Sequence, residues 1–185
     1  RLLSLFWPDK DAEKARHALD QLLYGIRRAL GADVLVSGPA NLVINAAVLS
    51  SDAAELAAAL ARGDHEAAAA AYAGPFLDGV HLSDAPEFER WAESRRSHFS
   101  GAFVEALTRL AARASGAGDY PTAAGHLRRA AASDPLSGAV AQALILALAH
   151  GGNAAAALEA ARVHATMVRQ ELDIEPDAAV VDLIA

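Results

Sequence analysis

Alanine accounts for 48 of the 185 residues, and this feature restricts the fold more than any other. Alanine is the strongest helix former, and its small side chain lets two helices approach closely. Aromatic residues, which strands favour together with β-branched ones, make up only 5% of the chain. The composition therefore predicts a mainly α-helical protein and excludes a β-sandwich or a β-barrel.

Length and residue usage narrow the class further. The chain is about one domain long or slightly more, and it contains no cysteine, which excludes disulfides, thiolate zinc sites and cysteine nucleophiles. Its apolar stretches are too short to span a membrane, and no signal peptide opens it. We therefore expect a cytoplasmic protein without membrane contact. Because residue 1 is Arg and not Met, we also expect that the natural N-terminus lies upstream.

Charge is distributed unevenly along the chain. Residues 1–50 carry a net charge of +1, whereas residues 51–185 carry −8. Nucleic acid is polyanionic, so the large acidic part should repel it. Any contact with DNA must therefore come from the first fifty residues.

The first fifty residues predict a helix end, an amphipathic helix and a β-hairpin. Residues 1–6 resemble the end of a helix that stops at Trp7 and Pro8. A second helix is predicted over 13–30, with Asp11 as its N-cap and Gly31 as its C-cap. Its apolar positions form one stripe at helical spacing that we expect to face inward: Leu19, Leu22, Leu23, Ile26 and Leu30.

Two short apolar runs, 34–36 and 42–44, flank the turn-forming residues 37–41. Such a pair is typical of a β-hairpin, whose loop would form a wing beside the helix. It is the only clear strand signal in the sequence.

After residue 51 the pattern is helical throughout. A helical hairpin is predicted over 52–62 and 64–72, and a long helix begins near Pro86, with Asp84 as its cap. Turns at Gly118-Asp119 and Gly152-Asn153 are 34 residues apart, the period of a tetratricopeptide repeat. An unrelated alanine-rich bundle remains the alternative. The repeat frame assigns packing positions to Leu107, Leu110, Ala111, Ala114, Ala123, Leu127 and Ala130, and then to Ala141, Leu144, Ile145, Leu148, Ala157, Ala161 and His164.

The sequence carries no recognisable catalytic motif. It lacks a phosphate-binding glycine loop, a dinucleotide fingerprint and a nucleophile elbow. His81 and Asp84 are three residues apart, but a lone pair of this kind is usually solvated. The alternating acidic and basic residues of 87–96 are interpreted as a solvated helix face. We therefore expect no enzyme activity, no metal and no cofactor.

The outward face of helix 13–30 carries basic, amide and aromatic side chains. Such a face suits contact with phosphates and with base edges in the major groove, and an adjacent wing adds to that. An ordinary amphipathic helix with a polar face is the alternative, and spacing alone does not decide between them. The candidate DNA-binding residues are Lys14, His17, Gln21, Tyr24 and Arg28, with Arg27 on the flank.

Several segments together resemble one family of regulators. Phe6-Trp7-Pro8-Asp9 and the run from Tyr24 to Gly31 resemble the second half of a response-regulator-type winged helix. More specifically, they resemble the Streptomyces antibiotic regulatory protein family. Four later segments, in the same order, are similar to that family's bacterial transcriptional activation domain: 72–79, 87–91, 132–136 and 171–176. Gly25 and Asp173 depart from the family pattern, which usually has a polar residue and a glycine there.

The resemblance implies an architecture and a function. Residues 1–48 would be the C-terminal part of a winged-helix DNA-binding domain, and 49–185 a tetratricopeptide-like activation domain. The protein would be a transcriptional activator that binds promoter DNA and contacts RNA polymerase or another protein through its repeats. The alternative is a helical-repeat interaction or sensor module without DNA binding of its own. The sequence leaves the oligomeric state open, a homodimer included.

Overall fold

A computed structural model describes residues 1–38 and 41–182. Among them, helices predominate, and the strands form one small antiparallel sheet. This confirms the predicted fold class. The chain divides into two compact units, Arg1–Glu55 with Gly74–Ser97, and Leu56–Ala73 with His98–Ala185.

The first unit begins with helix α1 (Leu2–Phe6), which ends at Trp7 as predicted. Helix α2 (Ala12–Leu30) follows, and a short 3₁₀ turn (Ala32–Val34) leads into strands β1 (Leu35–Ser37) and β2 (Leu42–Ile44). The strands pair antiparallel with Val36 opposite Val43, so the predicted hairpin is confirmed. Residues 39 and 40 of its loop lie outside the described residues.

The core of the first unit is aromatic. The N-terminal turns of helix α5 (Pro86–Gly116) contribute Phe88 and Ala92, both buried. Phe6 of α1 packs there, with its ring centroid 5.3 Å from that of Phe88. Leu77, from the loop before α5, packs against the same cluster. The loop and α1 are therefore held on one face of α5.

The second unit consists of packed helical hairpins. It contains most of α3 (Asp52–Ala61), all of α4 (His65–Ala71) and the part of α5 after residue 97. These are followed by α6 (Tyr120–Ser133), α7 (Gly138–His150) and α8 (Ala154–Leu172). A short helix, α9 (Ala178–Val181), packs against α7 and α8 and buries Val180 completely.

The 34-residue repeat has a local structural cause. At each predicted turn a glycine with positive φ is followed by a side chain that caps the next helix. Asp119 Oδ1 accepts from the Thr122 backbone N–H at 3.1 Å, and Asn153 Oδ1 accepts from that of Ala156 at 3.1 Å. Gly63 and Asp64 form the same turn between α3 and α4, 55 residues before the first of the pair. This third turn is the one predicted between 52–62 and 64–72, although its spacing lies outside the 34-residue period.

Alanine packing follows the predicted repeat frame. Every predicted position is buried except Ala114, which is half-buried. His164 stands where the frame expects alanine, and it is buried because its Nδ1–H donates to the carbonyl oxygen of Pro135 at 3.1 Å. The bond gives the ring nitrogen Nδ1 a partner and joins α8 to the junction before α7. The second repeat is thus degenerate in sequence but not in packing.

Candidate nucleic-acid interface

Helix α2 is capped at both ends by the residues that the sequence indicated. The Asp11 side chain accepts from the Glu13 backbone N–H at 2.9 Å, which satisfies a free donor of the first turn. At the other end, Gly31 adopts a φ of 104° and donates its N–H to the carbonyl oxygen of Arg27. The helix therefore has a fixed length, and the angular positions of its side chains are fixed with it.

The predicted outward face is exposed along its length. Lys14, His17, Gln21 and Arg28 are all exposed, and so is Tyr24. Arg27, predicted on the flank, is half-buried. The structure brings these side chains together on one side of a helix of 19 residues, where cations and hydrogen-bonding groups can face a polyanion.

Gly25 lies within the same exposed face. A Cβ added to it would meet no atom within 4 Å, so the position is open to solvent. A side chain there would fit without displacing any neighbour. The residue weakens the helix by its backbone freedom and contributes no contact of its own.

The expectation that the apolar stripe of α2 faces inward is correct only near the N-terminal end. Leu19 and Leu23 are half-buried, but Leu22 and Leu30 are 53% and 55% exposed, and Ile26 is exposed as well. Periodicity identifies the apolar side of a helix but not what covers it. Within the described chain, only the first part of the stripe is covered.

The hairpin also exposes apolar side chains, and they lie on both of its faces. Val36, Val43 and Ile44 are each about half exposed, while Val34 below them is buried. Asn45 holds the base of the hairpin, because its Nδ2 donates to the Asp33 carbonyl oxygen at 3.0 Å and its N–H donates to that of Val34. The sequence analysis missed Asn45, although an amide directly after a strand is a common turn-forming signal.

The charged face of residues 87–96 was interpreted as solvated, and for two residues this is wrong. Arg96 is half-buried and donates to three backbone carbonyls of the loop before α5. Glu89 accepts from the Leu82 backbone N–H and pairs with His81. These interactions lower the pKa of the Glu89 carboxyl, mainly through the Leu82 bond. Ala85, not Asp84, directly precedes the helix.

Within 1–38 and 41–182, no group of three or more His, Cys, Asp or Glu side chains is placed to hold a metal ion. Over the same residues, no helix combines the length and apolar character needed to cross a bilayer.

A family model for the bacterial transcriptional activator domain matches residues 43–185. The chain belongs to the bacterial transcriptional activator domain family. This match confirms the resemblance that the sequence motifs indicated. The family is one of transcriptional regulators and not a class of enzymes.

One solved structure is similar to this family member over nearly its whole length. It is Mycobacterium tuberculosis EmbR in complex with a low-affinity phosphopeptide, with a TM-score of 0.66 and 21% identity. The alignment covers 99% of this chain and 52% of the EmbR chain, so this chain spans about half of that protein. A comparison with curated proteins gave no match. The similarity to EmbR supports the fold of both units, including α2 and the first strand of the hairpin, which lie outside the family match.

Proposed function

We propose that this chain is part of a cytoplasmic transcriptional activator that binds promoter DNA through α2 and the β-hairpin. Residues 1–48 are, in this proposal, the C-terminal part of a winged helix, and 49–185 the activation domain. The observation that carries the proposal is the exposed face of α2, where Lys14, Gln21 and Arg28 stand clear of the protein. A capped helix followed by a hairpin is the arrangement in which winged helices present their reading side chains.

The exposed apolar stripe of α2 supports the winged-helix assignment. Leu22, Ile26 and Leu30 together expose an apolar surface on the side of the helix opposite the polar face. Such a surface is costly in water, because each side chain gains about 1.5–3 kcal/mol when it is fully buried. We propose that the remaining winged-helix elements, contributed by preceding sequence, cover this side and leave the polar face free for DNA.

Different residues of the polar face have different roles in this proposal. Gln21 reads a base edge, since an amide can bond adenine in two places. Arg28 lies near the C-terminal end of α2 and binds phosphate. Lys14, His17 and Tyr24 face the groove or its rim, and Arg27 and the wing lie near phosphates of the DNA backbone.

The test uses the complete regulator and DNA duplexes that the unaltered protein selects from a random library. We expect Arg28→Ala to weaken binding equally for all sequences and to reduce the salt slope by about one counterion. Gln21→Ala should instead relax specificity at one base pair, by about 1–3 kcal/mol. Arg62→Ala is the control, because Arg62 is an exposed arginine that lies outside α2 and the hairpin. If both test variants behave like this control, α2 does not read DNA.

The second candidate is a protein-interaction module, and the extent of the family match favours it. The match covers the helical repeats but leaves α2 outside. In our proposal the repeats bind RNA polymerase or another protein, and a homodimer is compatible with that. Transcription reconstituted with purified RNA polymerase on a selected duplex distinguishes the DNA-binding activator from the interaction module. An activator raises transcript yield only when its DNA site is present, whereas an interaction module acts without that site or not at all.

A further inference from the structure

The loop between α4 and α5 is fastened to α5 by two side chains. Arg96 Nε donates to the carbonyl oxygen of Phe76 at 3.0 Å, and its Nη2 donates to those of Leu77 and Val80 at 3.3 and 3.4 Å. Glu89 accepts from the Leu82 N–H at 2.5 Å. The two residues are seven apart on α5, about two turns along one face. Residues 74–85 therefore form a strap that α5 holds at both ends.

The strap has a backbone conformation that needs such support. Leu77 has a φ of 52°, in the left-handed region that a branched side chain rarely adopts, and Gly79 has a φ of 73°. The Leu77 carbonyl oxygen is one of those that Arg96 binds. A charged donor forms stronger hydrogen bonds than a neutral one, so this guanidinium is suited to hold a strained loop.

The strained residue and α1 pack against the same buried cluster. Leu77 packs against Ala85, Phe88 and Ala92, and so do Leu5 and Phe6 of α1. Helix α1 has only five residues, too few to be stable alone, so its position depends on this shared cluster. Helix α1 leads directly into α2 and contacts it. A series of contacts thus runs from Arg96 through the strap and α1 to the helix of the proposed DNA interface.

We propose that Arg96 is a positioning residue that orients α2 for DNA, acting through Leu77 and α1. The inference rests on the proposed function, since it assigns this contact series a role in DNA binding. Arg96 itself touches no DNA. Its contribution is to limit the movement of α1 and so the angle at which α2 meets the groove.

The first experiment measures hydrogen exchange in the complete regulator without DNA. Arg96→Gln removes the charge and three of the five N–H donors, and we expect the backbone amides of α1 to exchange about tenfold faster. Amides of α6 and α7, in the other unit, should be unchanged. Arg95→Gln is the matched control, since Arg95 is exposed on the adjacent position of the same helix. If α1 exchanges equally in both variants, the proposal is wrong.

A second variant interrupts the series of contacts between Arg96 and α2 at another residue. It keeps the proposal testable if Arg96→Gln does not fold. Leu77→Asn keeps the left-handed backbone, which asparagine tolerates, and leaves the carbonyl for Arg96. It removes the apolar side chain that packs on the cluster shared with α1. We expect the same faster exchange in α1 with the strap itself still protected. Slow exchange in α1 of this variant would mean that the Leu77 side chain does not link Arg96 to α1, and the proposal would be wrong.

The second experiment measures binding to the duplex selected by the unaltered protein. We expect Arg96→Gln and Leu77→Asn each to weaken binding about tenfold without changing the salt slope or the preferred sequence, because no DNA contact is lost. Arg96→Lys, which keeps one charged donor, should recover part of the affinity. If α1 exchanges faster but the DNA affinity is unchanged, Arg96 stabilises α1 without affecting DNA binding. Arg96 is then not a positioning residue for DNA. If the unaltered protein selects no duplex, the proposed function fails, and the exchange experiment still decides whether Arg96 holds α1.

Discussion

Arg169 holds Glu175 across the end of α8. Its Nε and Nη2 donate to the same carboxylate oxygen of Glu175 at 3.1 and 2.8 Å. The two residues lie on either side of Asp173, where the helix ends. Both side chains are more than half exposed, so the pair stabilises the turn only weakly. Its effect is to set the direction in which the chain leaves α8 towards α9.

The pair predicts a specific dependence on pH. Hydrogen bonds from Arg169 and its positive charge lower the pKa of the Glu175 carboxyl. A lowered folded pKa contributes stability that is present above about pH 5 and is lost as the pH falls through the folded value. We expect Glu175→Gln to be less stable than the unaltered protein at pH 7 and the difference to shrink in acid. Urea unfolding at several pH values measures this, and a difference that grows in acid contradicts it. Glu171→Gln, an exposed carboxylate without a described ion pair, is the control.

Asp173 gives a second prediction. It has φ 54° and ψ 36°, the left-handed conformation, as expected where related sequences have glycine. Replacement by glycine removes a strain of about 1 kcal/mol, in part offset by the greater freedom of the unfolded chain. We expect Asp173→Gly to raise the melting temperature slightly and Asp173→Val to lower it clearly. Equal melting of the two variants would show that the turn is not strained.

Ala123 tests the repeat frame. It is fully buried in the apolar cluster of α6, α7 and α8, and such interiors are packed closely enough that a larger side chain must displace its neighbours. Ala123→Leu should overpack this position and lower the free energy of unfolding by about 1–3 kcal/mol. Ala132→Leu, on an exposed position of the same helix, is the control and should have little effect. Equal unfolding free energies for the two variants would mean that Ala123 is not a packing position.

Gly25 allows a gain of stability within the proposed interface. Because a Cβ there meets nothing, Gly25→Ala should stabilise α2 by up to about 1 kcal/mol. Gly25→Arg should give a smaller gain in stability and add a phosphate contact, which would appear as a steeper salt dependence of DNA binding. Thermal unfolding and a salt titration measure the two effects separately. A loss of stability in Gly25→Ala would show that the helix needs the glycine.

Local signals predicted the elements well. The caps Asp11 and Gly31, the hairpin, and the turns at Gly118 and Gly152 all depend on residues close in sequence, and each is present. The family resemblance rested on such signals and is confirmed by the family match.

Interactions between segments were harder to predict. Arg96 lies three residues after Glu93, which predicts a surface pair, and that pair does form at 3.3 Å. The same guanidinium also binds carbonyls 16–20 residues earlier, and no periodicity indicates that. The exposure of Leu22 and Leu30 was not predicted for a similar reason. Helical spacing defines the apolar side of α2 but not which segment, if any, covers it. The side chains proposed to contact DNA remain a prediction, supported by exposure alone.

Val180 has a consequence for self-association. A stack of helical repeats ends in an apolar face on which a following pair of helices would pack, and terminal units with a polar outer side are needed for solubility. Here α9 packs against α7 and α8 and buries Val180 completely, so the chain covers part of the apolar face of this helix pair with its own residues. A second copy that docked on that part of the face would first have to displace α9.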